Sequence, residues 1–218
     1  MRDLVINTVK EEKLIVIVRG CAPDKLIPLA RAMYEGGVRL IEITYSANGS
    51  VSDEDTAKSI ALLSKEFEGK MLVGAGTVLT EKQVELTKEA GGKFIISPNT
   101  DKAVIEKTRA LSLVSMPGAF SPTEICDAYK YGADFGKLFP IAELPVSYVK
   151  AIRAPISHIP MLAVGGVNLE NIPEYLKVGI CGFGIGSNIT DKRMIEEGDF
   201  EGITALARKY VSLIKGEA

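Results

Sequence analysis

The sequence predicts an α/β protein, a (β/α)8 TIM barrel preceded by a short N-terminal helix, on three observations. Eight apolar, strand-like runs follow one another through the chain, alternating with helical patterns and polar loops. They recur at about the interval that one β-α unit occupies in such a barrel. No linker, charge block or low-complexity segment interrupts the series over 218 residues, so a single domain, 1–218, is expected. An unbroken series of this kind favours a closed parallel barrel over the doubly wound open sheet that the same alternation could build.

The elements justify themselves in order. Leu4, Val5 and Val9 have helix-like spacing and predict a short leading helix. The β-branched run Leu14 to Val18, ending at Arg19, suits a strand covered on both faces, and a helix follows from Asp24 to Gly36-Gly37. Leu40 to Thr44 is the second strand, with a helix through Ala57 to Leu63. Met71 to Thr77 is the third, where Thr80 and Gln83 predict a capping box for the next helix. Phe94 to Pro98 is the fourth, with a helix from Asp101. Leu113 to Gly118 is the fifth, followed by Ser121-Pro122-Thr123-Glu124, which reads as cap, first-turn proline and capping box. Asp134 to Pro140, Met161 to Gly166 and Cys181 to Ser187 are the sixth, seventh and eighth, and a last helix runs from Ile203 to Leu213.

Composition removes several function classes. Lys plus Arg number 26 against 28 Asp plus Glu, scattered rather than clustered, which gives no footprint for nucleic acid or an anionic membrane. The N-terminal segment lacks the apolar core of a secretory signal, and no run approaches the length of a membrane span, so a cytoplasmic protein is expected. Three cysteines at wide spacing, Cys21, Cys126 and Cys181, suggest neither a disulfide framework nor a zinc ribbon. His158 is the one histidine, most simply a loop residue, which excludes mechanisms built on a histidine cluster.

In such barrels the chemistry sits at the C-terminal strand ends. In the sixth strand, alternation puts Phe135, Lys137 and Phe139 on one face. An ammonium between two phenyl rings is poorly solvated, which lowers its pKa and frees a neutral amine to attack carbonyl carbon. The bland alternative is a lysine whose head reaches solvent at a strand end. Glu42, between Ile41 and Ile43, is a carboxyl whose burial raises its pKa toward neutrality, as a proton carrier needs; the alternative is a structural ion pair with Lys137 or Arg19. Arg19 could clamp a carboxylate and Thr77 donate to one, although each alone is more often structural. Leu40, Glu42 and Thr44 share a face, as do Ile15, Ile17 and Arg19, and Val73, Ala75 and Thr77; if these faces point inward, the polar members converge at one mouth. Gly165-Gly166 and Gly184-Ile185-Gly186-Ser187 end strands seven and eight, where barrels often hold phosphate on backbone N–H groups; plain turn geometry is the alternative. Gly74-Ala75-Gly76-Thr77 lacks the full dinucleotide fingerprint.

Taken together, Gly36-Gly37-Val38, Ile41-Glu42-Ile43-Thr44, Val73 to Val78, Ile96-Ser97-Pro98, Met116-Pro117-Gly118, Lys137-Leu138-Phe139-Pro140, Gly165-Gly166-Val167 and Gly186-Ser187 resemble, in register, the class I 2-keto-3-deoxy-6-phosphogluconate / 4-hydroxy-2-oxoglutarate aldolases. The resemblance implies a homotrimeric barrel that cleaves a 2-keto-3-deoxy-6-phospho sugar acid to pyruvate and glyceraldehyde 3-phosphate, or 4-hydroxy-2-oxoglutarate to pyruvate and glyoxylate. It implies Lys137 as the imine-forming lysine, Glu42 as the proton carrier, and Arg19, Thr44, Thr77, Pro98 and Phe139 as the substrate pocket. Gly165, Gly166, Gly186 and Ser187 would receive the phosphate, with no cofactor and no metal. Ser46 departs from the family, several of whose members carry a carboxylate-binding arginine there, and Arg19 is the replacement charge at hand. Val164 and Asn99 resemble the phosphogalactonate branch. Two alternatives are a carboxylate-based metal-dependent aldolase, which the lone histidine and Lys137 disfavour, and a non-catalytic barrel that binds a phospho-ligand.

Overall fold

The computed structural model describes residues 1–216, so the last two positions of the expected domain lie outside the described residues. Nine strands make one all-parallel sheet: β1 (Leu14–Val18), β2 (Leu40–Thr44), β3 (Leu72–Gly76), β4 (Phe94–Ile96), β5 (Val114–Met116), β6 (Gly118–Ala119), β7 (Gly136–Leu138), β8 (Met161–Val164) and β9 (Gly182–Ile185). Their order is β5-β4-β3-β2-β1-β9-β8-β7-β6, with consecutive strands in register, for example Ile17 beside Glu42 and Glu42 beside Gly74. The barrel prediction holds, with one change. The expected fifth strand is cut in two at Pro117, which has no N–H to place in the ladder. Its first half pairs with β4 and its second with β7, so the two ends of the sheet are consecutive in the chain and the cylinder closes there. Asp134 and Lys137 donate their N–H groups to Ser115 and Pro117 across the same junction, both at 2.9 Å.

Helices surround the sheet: α1 (Arg2–Glu12), α2 (Pro23–Glu35), α3 (Asp53–Glu66), α4 (Glu81–Glu89), α5 (Lys102–Ala110), α6 (Pro122–Tyr131), α7 (Val146–Arg153), α8 (Ile172–Lys177), α9 (Lys192–Glu197) and α10 (Phe200–Lys215). The capping box of α6 is complete, with Ser121 accepting from Glu124 N–H and the Glu124 carboxylate accepting from Ser121 N–H at 2.8 Å. That of α4 is half made, because Gln83 Oε1 accepts from Leu79 N–H rather than from Thr80. Among the described residues no helix is long and apolar enough to cross a membrane.

The interior divides into two apolar clusters. Between barrel and helices lie Val16, Ile41, Ile43, Val73, Ala75, Leu138, Ala163 and Phe183, among others. Inside the barrel lie Ile15, Leu40, Phe94, Ile96, Val114, Met116, Phe135 and Leu162. Helix α1 contributes Val5 and Val9 to this inner cluster, so it closes the end of the cylinder opposite the strand C-termini. Arg2 holds it there by an ion pair to Asp134, whose carboxylate also accepts from Ser115 N–H at 2.9 Å. The expected inward faces of β1, β2 and β7 are confirmed. That of β3 is corrected: Val73 and Ala75 pack toward the helices, while Gly74 and Gly76 turn inward, where a Cβ would lie 2.3 Å from the Phe94 ring and from the Glu42 carboxylate, respectively.

Candidate active site

Strand β2 carries a buried carboxyl and β7 a buried amine. Each strand places the charged residue two positions above a large apolar side chain on the same inward face, Leu40 below Glu42 and Phe135 below Lys137. Glu42 is 2% exposed and Lys137 is 6% exposed. The Lys137 ammonium donates to the Ser97 carbonyl at 3.2 Å and stands 4.5 Å from the centre of the Phe139 ring. One carboxylate oxygen of Glu42, Oε2, is buried without a hydrogen-bond partner among the described residues. Among the described residues these two groups form no direct ion pair, so the purely structural reading of Glu42 is not what the geometry builds.

Burial sets their proton affinities. It pushes the Glu42 carboxyl up to about 7, against the opposing pull of Lys137 and then Arg19. Burial also holds the Lys137 ammonium below the usual lysine range; Glu42 opposes this and Arg19 adds to it. The site therefore holds an amine that gives up its proton more readily than a free lysine and a carboxyl poised to exchange one near neutral pH. That pairing suits imine formation on a ketone with proton transfer at a neighbouring carbon or oxygen.

Above the pair three clefts open around the mouth. One of about 360 Å³ is lined by Arg19, Thr44 and Ser46. A second of about 770 Å³ runs from Arg19 past Gly186 and Ser187 to Lys192. The third, about 320 Å³, is bordered by Pro98, Asn99, Gly118 and Phe139. Lys137 and Glu42 line none of the three but neighbour residues that do, Glu42 beside Thr44 at Gly76 and Lys137 against Phe139. Arg19 Nη2 donates to Thr77 Oγ1 at 3.2 Å, so these two expected site residues are brought together although the parity of β3 would have turned Thr77 outward. The reason is local: Thr77 has φ +55°, a conformation rare for a β-branched residue, and it re-aims the side chain as the strand ends. Ser46 is occupied in its own turn, donating to Asn48 Oδ1 at 2.7 Å and accepting from Ser50 N–H at 3.1 Å, so Arg19 is the cation beside Thr44.

Gly165 and Gly166 have φ +89° and +79°, which favours glycine irrespective of a ligand. They pack against Phe139 and Ala142, and thus tie the β8 loop to the residues after Lys137. Sequence reasoning passed over three contributors. Gly76 makes room for Glu42, Ser97 offers its carbonyl to Lys137, and Asn188 reaches from the β9 loop to the Val167 carbonyl at 2.8 Å. The alternation of small residues facing a carboxyl could have flagged Gly76; a backbone carbonyl leaves no sequence signal. Cys21 lines the mouth, Cys181 lies half-buried against the inner cluster, and His158 sits in a loop, edge-on to Tyr129.

Comparison with known proteins agrees with this fold. The family model described as KDPG and KHG aldolase matches residues 5–206. A Rhizobium meliloti protein named a probable 2-dehydro-3-deoxy-6-phosphogalactonate aldolase is 38% identical over 180 residues, 82% of each chain. A solved structure described as native KDPGal superimposes with a TM-score of 0.84 at 29% identity, covering 93% of this chain and 94% of that one. A KDPG aldolase from Legionella pneumophila, in which pyruvate was captured as a covalent carbinolamine intermediate, gives a TM-score of 0.84 at 26% identity, with 95% and 97% covered.

Proposed function

Since the chain belongs to the KDPG and KHG aldolase family, and is thus one of a group of carbon–carbon lyases, we propose that it reversibly cleaves a 2-keto-3-deoxy-6-phospho sugar acid to pyruvate and glyceraldehyde 3-phosphate through an imine on Lys137. The observation that carries this reading is a buried amine, drawn below its usual pKa, in the same barrel mouth as a buried carboxyl raised to about 7. Neutral Lys137 adds to the C2 ketone, and loss of water from the carbinolamine leaves a protonated imine. The C3–C4 bond then breaks with its electron pair flowing into the imine, while Glu42 takes the C4 hydroxyl proton and the aldehyde departs. Glu42 returns that proton to C3 of the enamine, and water releases pyruvate and the free lysine. The carbinolamine of the Legionella protein supports the first step.

In this reading Arg19 with Thr77 and Thr44 receives the keto-acid carboxylate, Pro98 and Phe139 flank the pyruvate moiety, and the backbone N–H groups of Gly165, Gly166, Gly186 and Ser187 hold the phosphate. Val164 and Asn99, together with the Rhizobium relative, favour the galactonate configuration over the gluconate one; 4-hydroxy-2-oxoglutarate is the smaller, secondary substrate. The chain is proposed to act as a cytoplasmic homotrimer with one aldolase domain, on small keto acids rather than on nucleic acid or membranes. Borohydride reduction in the presence of pyruvate tests the chemistry: a reduced adduct on Lys137 is expected, and active protein that yields none overturns it. Pyruvate release from the galactonate, gluconate and hydroxyglutarate acids, measured side by side, tests the substrate.

A further inference from the structure

The two glycine loops at the mouth have an unusual distribution of hydrogen bonds. Four carbonyls at their turns are turned to protein donors. Gly165 accepts from Ala142 N–H at 3.1 Å, and Gly166 from Asn171 Nδ2 at 3.0 Å. Val167 accepts from Asn188 Nδ2 at 2.8 Å, and Gly186 from the N–H groups of Ile189 and Thr190 at 2.8 and 2.9 Å. The N–H groups of Gly166, Ser187 and Asn188, by contrast, donate to no acceptor among the described residues. A pair of loops whose carbonyls are held back and whose N–H groups are free presents a positive rim suited to an anion.

Only one of these bonds spans the two loops. Asn171 belongs to the β8 side, where it also accepts from Asn168 N–H at 2.9 Å as α8 begins. Asn188 lies on the β9 side and its amide crosses to Val167, a buried residue at the base of the other loop. Without that bridge the two halves of the rim are joined mainly through the strands beneath them. We infer that Asn188 is a positioning residue, which sets the spacing of the two N–H rims and thereby the affinity for the phosphate end of the substrate without touching the reacting carbons. The inference rests on the phosphate placement proposed above.

Steady-state kinetics of Asn188→Ala on a phosphorylated and an unphosphorylated 2-keto-4-hydroxy acid tests it, with inorganic phosphate as a competing ligand. Losing one cross-loop hydrogen bond is expected to raise KM for the phosphorylated acid, and the inhibition constant of inorganic phosphate, by about five- to tenfold. KM for the unphosphorylated acid and the yield of the borohydride–pyruvate adduct stay unchanged. Asn188→Gln, which keeps the donor on a longer arm, recovers part of the loss. A merely structural role would lower the active fraction toward both substrates alike, and that outcome overturns the inference. So does an unaltered phosphate constant in Asn188→Ala when the wild type is inhibited by phosphate. If the wild-type protein neither prefers the phosphorylated acid nor responds to phosphate, the phosphate placement itself fails.

Discussion

Leu40 and Glu42 share the inward face of one strand, two residues apart, and belong to different regions of the molecule. Around Leu40 the barrel floor is apolar: Ile15, Phe94, Val114, Phe135 and Leu162 fill it and α1 seals it with Val5 and Val9. Around Glu42 the same cylinder carries Lys137, Arg19 and a carboxylate oxygen with no hydrogen-bond partner among the described residues. The floor buries groups that gain from leaving water; the mouth buries groups that lose by it. A single period-2 pattern thus yields stability at one end and reactivity at the other, and substitutions at the two ends are expected to separate the two properties.

The largest effect is expected at the mouth. Lys137→Met removes the amine and keeps an apolar side chain of similar length; pyruvate release falls at least about a thousandfold and the borohydride adduct disappears, while thermal unfolding shows no loss of stability. The floor gives the converse. Leu40→Ala empties volume in a fully buried position and is expected to cost about 2–5 kcal/mol in denaturant unfolding, with kcat per folded molecule within about fivefold of wild type. Should that variant lose activity in proportion to stability, floor and mouth are not separable.

Gly76→Ala tests the border between them. Its Cβ would stand 2.3 Å from Glu42 Oε1 and 3.0 Å from Thr44 Cγ2, so the carboxylate must shift. A displacement of that kind costs on the order of a hundredfold in kcat, with pyruvate trapping on Lys137 retained. An unaffected kcat would show that the position of Glu42 is not set from β3.

The pH dependence is the smallest and sharpest of the four. With the Glu42 carboxyl raised to about 7, the ionised base and the cleavage rate grow about tenfold between roughly pH 6 and 8. The stability contribution has the opposite sign. Because the folded-state pKa lies above the unfolded value of about 4.3, the contribution is complete below that value and is lost as pH rises through about 7. Glu42→Gln is therefore expected to flatten the stability profile and to be more stable than wild type at alkaline pH by a few kcal/mol at most, the rise to about 7 being already net of the pull of Lys137. Chemical denaturation of both proteins across the neutral range measures this.

Much of this division can be read from sequence, because alternation on β1, β2 and β7 places Ile15 below Arg19, Leu40 below Glu42 and Phe135 below Lys137. Strand β3 escapes it. Val73 and Ala75 look like the inward set because glycine has no side chain to register as facing anything, yet it is Gly74 and Gly76 that face the core, emptied to admit Phe94 and Glu42. Thr77 then regains the mouth through a backbone conformation that residue type does not announce. The leading helix is legible as a helix but not as the floor of the barrel, since Val5 and Val9 say which face is apolar and not what covers it. Ser97, acting through its carbonyl, is beyond any reading of side chains.

Pro117 gives the cylinder a property that a continuous ladder would lack. Between β5 and β6 the circumference is carried by the covalent main chain together with the hydrogen bonds that Asp134, Phe135 and Lys137 donate to the Ser115 and Pro117 carbonyls. Severing the chain at this residue leaves those few hydrogen bonds as the whole closure between two sheet margins, the kind of surface on which strands, once parted, recruit other strands. Circularly permuted proteins with new ends at Pro117 are accordingly expected to aggregate more readily than those opened in the turn after Ser46, where no strand pairing is weakened.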